Sequence, residues 1–356
     1  LRCKLGFDHV REDDDETKII IVNIEGTIVG IKVDRVLDVV QIDTESIEIF
    51  SDLENKNTLT SNIPPAIALF FGITGVFILY QIVGGLILFF IFGADMLNTN
   101  FNALRIYQVA SQYIFILLPA IFLSKLFFND VTTVMRIKKI PLKETGFFCA
   151  GIILVSVMAV DLQALQDIAF RKIVDFFPAL EIIKVNLDEL NKVMEESYKR
   201  LLSFNSVWEF LLVVLTVAVT PAICEEFFFR GFVLRGFEFL TKPFWAALFT
   251  AIIFSFYHVN FYGFTALILI GLYLGYATYK SGSIYIAVIM HFINNFSAVV
   301  LYSLFEDEEF INSTGAFQDT WIHLLRFSIL LAIFILLIFF IKKYYSKISQ
   351  KNQEAL

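Results

Sequence analysis

The sequence predicts an all-α protein that crosses a membrane many times and carries a short β-rich segment at its N-terminus. Of its 356 residues, 57% are hydrophobic and 41 are phenylalanine, whereas a water-soluble domain keeps roughly half of its residues polar. Apolar runs recur from Pro64 onward, most of them close to the ~20 residues that span a bilayer as a helix. These runs are continuous rather than alternating, which favours helices over a transmembrane barrel.

Charged residues divide the chain into two parts. Residues 1–62 contain 14 acidic and 7 basic residues, whereas residues 63–356 contain 21 of each. Neither part is basic enough to indicate nucleic-acid binding. Cys3, Cys149 and Cys224 show neither a pairing pattern nor CxxC spacing, so the sequence indicates no disulfide framework.

The N-terminal part is rich in isoleucine and valine over residues 18–42, with a turn at Glu25-Gly26. This pattern predicts a β-hairpin followed by a third strand. The segment VGIKVDRVLDVV and the preceding hairpin resemble the later part of a CheW-type chemotaxis coupling domain, a β-barrel adaptor. The resemblance covers residues 1–50, well under half of such a barrel, which leaves unpaired edges and little core. We therefore expect a truncated remnant or an artefactual join without chemotaxis partners, followed by a polar linker at 51–63.

Eight apolar stretches predict eight transmembrane helices in a membrane domain at 64–345, followed by a tail at 346–356. The stretches lie at 65–93, 104–127, 147–170, 206–224, 244–262, 264–279, 284–304 and 322–341. The sixth stretch is short and would need support from its neighbours.

Lysine and arginine predict the orientation of these spans. With eight spans, the loops 128–146 and 229–243 and the C-terminal tail lie on one side and hold clustered basic residues. The opposite loops 94–103 and 305–321 hold none, so the positive-inside rule places both termini in the cytoplasm. The remaining loop, 171–205, has apolar spacing that predicts an amphipathic helix lying on the membrane.

Ionisable residues inside spans are costly and usually functional, which narrows the search for a site. Glu225 and Glu226 follow Cys224 at the predicted inner end of the fourth span. Arg230 lies one helical turn beyond Glu226, so these two can pair along the helix. That pairing would leave Glu225 on another face, as a candidate general base.

Two further spans carry polar residues. His258 lies in the fifth span, and His291 and Asn295, four residues apart, share one face of the seventh. Taken singly, each residue fits a hydrogen bond between packed helices equally well. Asp161 and Gln163 in the third span are candidates for lining a cavity or capping a helix break.

The three motifs together are far more specific than any one of them. The order EExxxR, FxxxH and HxxxN, with each motif on its own span, closely resembles the CPBP family of intramembrane proteases. That family includes CAAX prenyl endopeptidases and bacterial proteins linked to bacteriocin processing and self-immunity. The match spans about residues 206–304, and its motif positions are Glu225, Glu226, Arg230, Phe254, His258, His291 and Asn295.

The resemblance implies an eight-helix bundle in a bacterial inner membrane, with a water-filled cavity open to the cytoplasm. Glu225 and His258 would activate a water for attack on a peptide carbonyl, while His291 and Asn295 would form an oxyanion hole. The remaining motif residues would support them. The expected partners are membrane lipid and a membrane-associated protein or peptide substrate.

A zinc ion is the cofactor that the resemblance raises, because the family is often classed as metalloproteases. Zn²⁺ held by His258, His291 and Glu225 is chemically reasonable. However, the sequence has no HExxH helix, and Asn295 is a poor zinc ligand. This favours a metal-free, glutamate-type mechanism.

Two other classes of function remain open. The protein could be a non-catalytic scaffold, either for bacteriocin self-immunity or for signalling. It could also be a proton-coupled transporter, with Glu225, His258 and His291 as a proton relay. A transporter predicts internal repeats, and the two halves of the sequence show no convincing repeat.

Overall fold

The chain forms two compact units, Leu1–Lys56 and Asn57–Leu356, in a computed structural model. The structure describes residues 18–24, 27–33, 63–93, 99–128, 131–305 and 320–354. In the first unit, β1 (Lys18–Ile24) pairs antiparallel with β2 (Thr27–Val33). These strands occupy the predicted hairpin, whereas the predicted third strand lies outside the described residues.

All the regular secondary structure among the described residues of the second unit is helical. Its helices are α1 (Pro65–Phe92), α2 (Phe101–Phe127), α3 (Val131–Val134), α4 (Leu142–Phe176), α5 (Glu181–Leu202), α6 (Val207–Glu238), α7 (Pro243–Tyr257), α8 (Phe264–Ser281), α9 (Ile284–Phe305) and α10 (Thr320–Glu354).

Six of these helices are long and apolar enough to cross a membrane: α1, α2, α4, α6, α9 and α10. The protein is therefore an integral membrane protein. Helices α7, with 15 residues, and α8, with 18, occupy the fifth and sixth predicted spans. They are shorter, so a total of eight spans stays a prediction.

Helix α6 corrects the prediction that the fourth span ends near residue 224. It continues to Glu238, so Glu225 lies well inside a long helix and not at its end. The basic loop predicted at 229–243 is also wrong, because Arg230 and Arg235 are buried within α6. Each can be buried because a carboxylate faces it: Glu226 for Arg230 and Glu238 for Arg235.

Two π-helical turns, Leu215–Val219 and Phe227–Val233, flank the segment of α6 that carries both glutamates. Pro221 lacks an N–H, so the carbonyl of Val217, four residues earlier, loses its ordinary helical partner. Such widened turns occur frequently at functional sites. They also rotate the helix faces, so simple 3.6-residue spacing does not predict where each glutamate points.

Helix α7 ends at Tyr257, five residues before the predicted end of its apolar stretch. Val259 has a φ of 49°, in the left-handed region that a β-branched residue rarely adopts. The chain then turns into α8, which packs closely on α7. A Cβ atom on Gly271 would lie 3.1 Å from the Cβ of Ala251, so a small residue is needed at this crossing.

The predicted amphipathic helix is α5, which lies across one end of the bundle. Arg105 of α2 donates hydrogen bonds to the carbonyls of Leu201 and Arg200, at 3.1 and 3.2 Å. The hydroxyl of Tyr262, between α7 and α8, donates to Asp188 of α5. Helix α5 is therefore held over the start of α2 and the connection between α7 and α8.

Asp161 has a role that the sequence did not predict. Helix α4 is continuous past it, so there is no helix break at Asp161 or Gln163. The buried Asp161 carboxylate lies 2.8 Å from His323 Nδ1 and 2.6 Å from Arg326 Nη2, both on α10. These contacts join the third and last predicted spans.

Candidate active site

Two acid–histidine pairs lie side by side in the helical unit. Glu225 Oε2 is 3.8 Å from Nε2 of His258, which follows the last residue of α7. Glu226 Oε1 is 2.6 Å from Nδ1 of His291 on α9. Neighbouring residues point about 100° apart around a helix, so the two carboxylates of α6 reach different neighbouring helices.

The second pair also contains Arg230, which completes a buried charge cluster. Arg230 Nη1 donates to Glu226 Oε1 at 2.8 Å, and Nη2 donates to the Gly271 carbonyl at 3.1 Å. Glu226 and Arg230 are 0% and 1% exposed, so each charge depends on its partner. The predicted pair along the helix is present, but the sequence did not predict that His291 shares the same carboxylate oxygen.

Phe254 packs between the two pairs. Its ring centroid is 4.5 Å from that of His258 and 6.1 Å from that of His291. The guanidinium carbon of Arg230 lies 4.8 Å from the same ring, close enough for a cation–π contact. One phenylalanine therefore fixes both imidazoles and the arginine, which gives the FxxxH spacing a physical reason.

Hydrogen bonds determine which nitrogen of His258 can act as a base. Its Nδ1 lies 2.8 Å from the carbonyl of Phe254, and a carbonyl can only accept. Nδ1 therefore carries a hydrogen, which leaves the lone pair of the neutral ring on Nε2, facing Glu225. Glu225 Oε2 is buried and has no hydrogen-bond partner among the described residues. Glu225 Oε2 and Nε2 of the neutral His258 ring thus face the same gap between α6 and the end of α7.

Asn295 is held in place by the carbonyl that Pro221 leaves free. Its Nδ2 donates to the Val217 carbonyl at 2.9 Å, and its Oδ1 accepts from Asn294 Nδ2 at 3.0 Å. An amide nitrogen has two hydrogens, so one remains for another acceptor. Glu225 and His258 therefore lie together, whereas His291 and Asn295 are anchored to other groups of α6.

Residues 207–297 match the family model described as Type II CAAX prenyl endopeptidase Rce1-like. The match confirms the resemblance drawn from the motifs and supports a CAAX-type intramembrane protease. All the motif residues named above lie within this Rce1-like segment. Residues 1–61 match the model of the CheW-like domain, which confirms the second resemblance. No curated protein and no solved structure matches the chain.

The Rce1-like segment does not offer the zinc site raised by the sequence. Three protein ligands would have to lie about 2.0–2.3 Å from one point. His291 directs Nδ1 to Glu226, whereas His258 directs Nδ1 to a carbonyl and faces Glu225. Nowhere in the described part of the chain do three histidine, cysteine or acidic side chains lie close enough to hold an ion. The proposed ligands, His258, His291 and Glu225, therefore do not fit zinc.

Tyr198 of α5 lies near enough to Glu225 for that carboxylate to affect its phenol, which the sequence did not predict. Burial raises the pKa of its phenol, and the negative charge of Glu225 raises it further. The residue is 45% exposed as a whole. Its position in an amphipathic helix outside the Rce1-like segment gave no signal in the sequence.

The position of α5 affects the predicted orientation. His258 lies at the end of the bundle that α5 covers, opposite the basic connection before α4. If the basic end is cytoplasmic, the end of the bundle beside α5 faces away from the cytoplasm. The expectation that the cavity opens to the cytoplasm therefore conflicts with the predicted orientation.

Proposed function

We propose that the membrane unit is an endopeptidase that hydrolyses a peptide bond in a membrane-associated protein or peptide. Glu225 is the general base in this proposal. The observation that supports it best is the 3.8 Å approach of Glu225 Oε2 to His258 Nε2, because Glu225 Oε2 is buried and has no hydrogen-bond partner among the described residues. A water in this gap would donate one hydrogen to each acceptor and direct its remaining lone pairs outward.

Hydrolysis begins when this water attacks the carbonyl carbon of the scissile peptide. The new bond forms between the water oxygen and that carbon, and one water proton passes to Glu225. When the carbon–nitrogen bond breaks, the protonated Glu225 returns the proton to the leaving amine. His258 holds the water through Nε2 while its own Nδ1–H stays on the Phe254 carbonyl. The products are a carboxylic acid and an amine, and no co-reactant is needed.

His291 and Asn295 stabilise the oxyanion of the tetrahedral intermediate. The second amide hydrogen of Asn295 is free to donate, because only one is used by Val217. His291 donates Nδ1–H to Glu226, so its Nε2 can donate when the ring is protonated. Donors fixed before the reaction stabilise such charge more effectively than mobile ones.

Glu226 and Arg230 support the site without touching the substrate. Arg230 neutralises the carboxylate that orients His291, and the Gly271 carbonyl orients Arg230. Removing one partner of a buried ion pair typically costs about 3–5 kcal/mol, because the other charge is left buried alone. In this proposal Glu226 supports the site and only Glu225 reacts.

Substrate profiling tests this proposal and separates it from a scaffold or a transporter. Membranes from cells with the wild-type protein and with Glu225→Gln are compared for peptides with new termini. Glu209→Gln is the matched control, since it changes an acid of the same helix that contacts Asn102 of α2 at 2.9 Å. We expect new termini with the wild type and the control only. Identical profiles for all three would contradict catalysis.

A further inference from the structure

The first transmembrane helix reaches the active site through a π-helical turn at Ile78–Gly84. Gln81 in this turn donates from Nε2 to the Tyr257 carbonyl at 2.5 Å. Carbonyls in the last turn of a helix lack helical partners, so Gln81 satisfies one at the end of α7. Because Tyr257 directly precedes His258, this contact fixes the widened turn of α1 beside the pair formed by Glu225 and His258.

Tyr80 in the same turn lies outside the three motifs and outside the Rce1-like segment. It packs against a buried cluster that includes Cys224 and Tyr257, the residues directly before Glu225 and His258. Tyr80 therefore lies beside the segments that carry Glu225 and His258.

The hydrogen bond from Gln108 determines what the phenol of Tyr80 can do. Gln108 Nε2 on α2 donates to Tyr80 Oη at 2.7 Å, so the phenol oxygen is the acceptor in this contact. The O–H hydrogen is then available to another group. One candidate acceptor is the buried Gln112 Oε1, one turn further along α2, whose side chain lies within hydrogen-bonding reach of the Tyr80 phenol. The other is a water beside Glu225.

We propose that Tyr80 is a further catalytic residue, whose O–H donates to the water that Glu225 deprotonates. This inference rests on the proposed function. The water then donates to Glu225 and His258 and accepts from Tyr80, which leaves one lone pair for the peptide carbonyl. With three of its four hydrogen-bonding positions fixed, the water has one orientation for attack. The phenol stays protonated throughout, so the atoms of the reaction are unchanged.

The test uses the purified full-length protein in lipid nanodiscs and a panel of quenched fluorescent peptides, with and without a farnesylated cysteine. The peptide cleaved fastest by the wild type is used to compare variants. We expect Tyr80→Phe to lower kcat about 10- to 100-fold with KM unchanged, as for a misplaced reactant. Tyr107→Phe is the matched control, because that phenol donates to the Gly84 carbonyl of the same turn at 2.6 Å. We expect it to leave kcat unchanged.

Substitutions in α2 distinguish the two acceptors of the Tyr80 hydroxyl. Gln108→Leu should lower kcat less than Tyr80→Phe and should add nothing to it in the double variant, since both act on one group. Gln112→Leu should leave kcat near the wild-type value. Equal losses for Gln112→Leu and Tyr80→Phe, or equal kcat for Tyr80→Phe and Tyr107→Phe, would overturn the inference. A wild-type protein that cleaves no peptide would instead contradict the proposed function, and this inference with it.

Discussion

Asn295 donates a hydrogen bond to the carbonyl of Val217, 2.9 Å away, which Pro221 leaves without its helical partner. Pro221 lies on α6 and Asn295 on α9. The N–H that the proline lacks leaves the Val217 carbonyl open to Asn295, which explains the position of the asparagine. Asn295 is therefore both a packing residue and, in the proposed mechanism, a donor to the oxyanion. Its two roles can be separated by experiment.

Pro221→Ala should release Asn295 from its anchor. The new N–H at 221 can bond to the Val217 carbonyl and compete with the asparagine amide. We expect kcat to fall while thermal stability is kept or raised, because a proline inside a helix is unfavourable by about 3 kcal/mol relative to alanine. Melting curves and kinetics on the same preparation measure both effects. Unchanged kcat would mean that the anchor does not position Asn295 for catalysis.

Asn295→Ala should lower kcat by about 10²–10³-fold, the typical effect of one lost oxyanion donor, and leave a trace of activity. A transporter relay predicts a different outcome, in which Asn295 matters little and Glu225→Asp retains function. Kinetics of both variants on the peptide panel decide between the two classes. Wild-type kcat in Asn295→Ala would remove this residue from the mechanism.

Arg230→Met should destabilise the protein by about 3–5 kcal/mol, since it leaves the wholly buried Glu226 without its cation. The double variant Arg230→Met with Glu226→Met should recover folded protein, because an apolar pair can replace a buried ion pair. It should stay inactive, because His291 loses the acceptor for Nδ1. Size-exclusion profiles report folding, and peptide cleavage reports the site. Full activity in the double variant would show that Glu226 does not position His291.

The orientation of α5 can be measured with an impermeant maleimide on intact spheroplasts. Lys192→Cys on exposed α5 and Lys139→Cys in the exposed connection before α4 should be labelled from opposite sides. The positive-inside rule predicts outside labelling for residue 192. Reporter fusions after Lys143 and after Glu309 should likewise report opposite sides. Labelling of both cysteines from one side would contradict the predicted arrangement of spans.

The N-terminal piece should be dispensable. Deleting residues 1–60 removes the CheW-like match and its β-hairpin, which belong to a separate compact unit. We expect insertion and peptide cleavage to be retained, because a partial barrel lacks a core of its own. Fractionation and kinetics of the truncated protein measure the two properties. Normal insertion with lost cleavage would assign this piece a part in the activity.

The sequence predicted the membrane class and the motif residues, because ionisable side chains inside apolar runs are conspicuous. It did not predict how those residues pair. The π-helical turns rotate Glu225 and Glu226 relative to an ideal helix, so the partnership of Glu226 with His291 appears only in three dimensions. The long-range cluster of Asp161, His323 and Arg326 was missed for a similar reason: no local spacing joins residues over 160 positions apart.

Helix ends were the other source of error. In the sequence, Arg230 and Arg235 look like loop residues because their carboxylate partners are not known. The fourth span was therefore predicted to end too early. Conversely, an apolar run continues past Tyr257, but Val259 adopts a left-handed conformation and ends α7. That early end leaves His258 and its lone pair facing Glu225 rather than lipid.

The most direct test of the account is cleavage by purified Glu225→Gln and His258→Ala, each compared with Glu209→Gln in nanodiscs. Each change removes one of the two groups that, in the proposed mechanism, bind the reacting water. The account predicts that each abolishes turnover while melting temperature and size-exclusion profile match those of the control. Near-normal proteolysis in either Glu225→Gln or His258→Ala would contradict it.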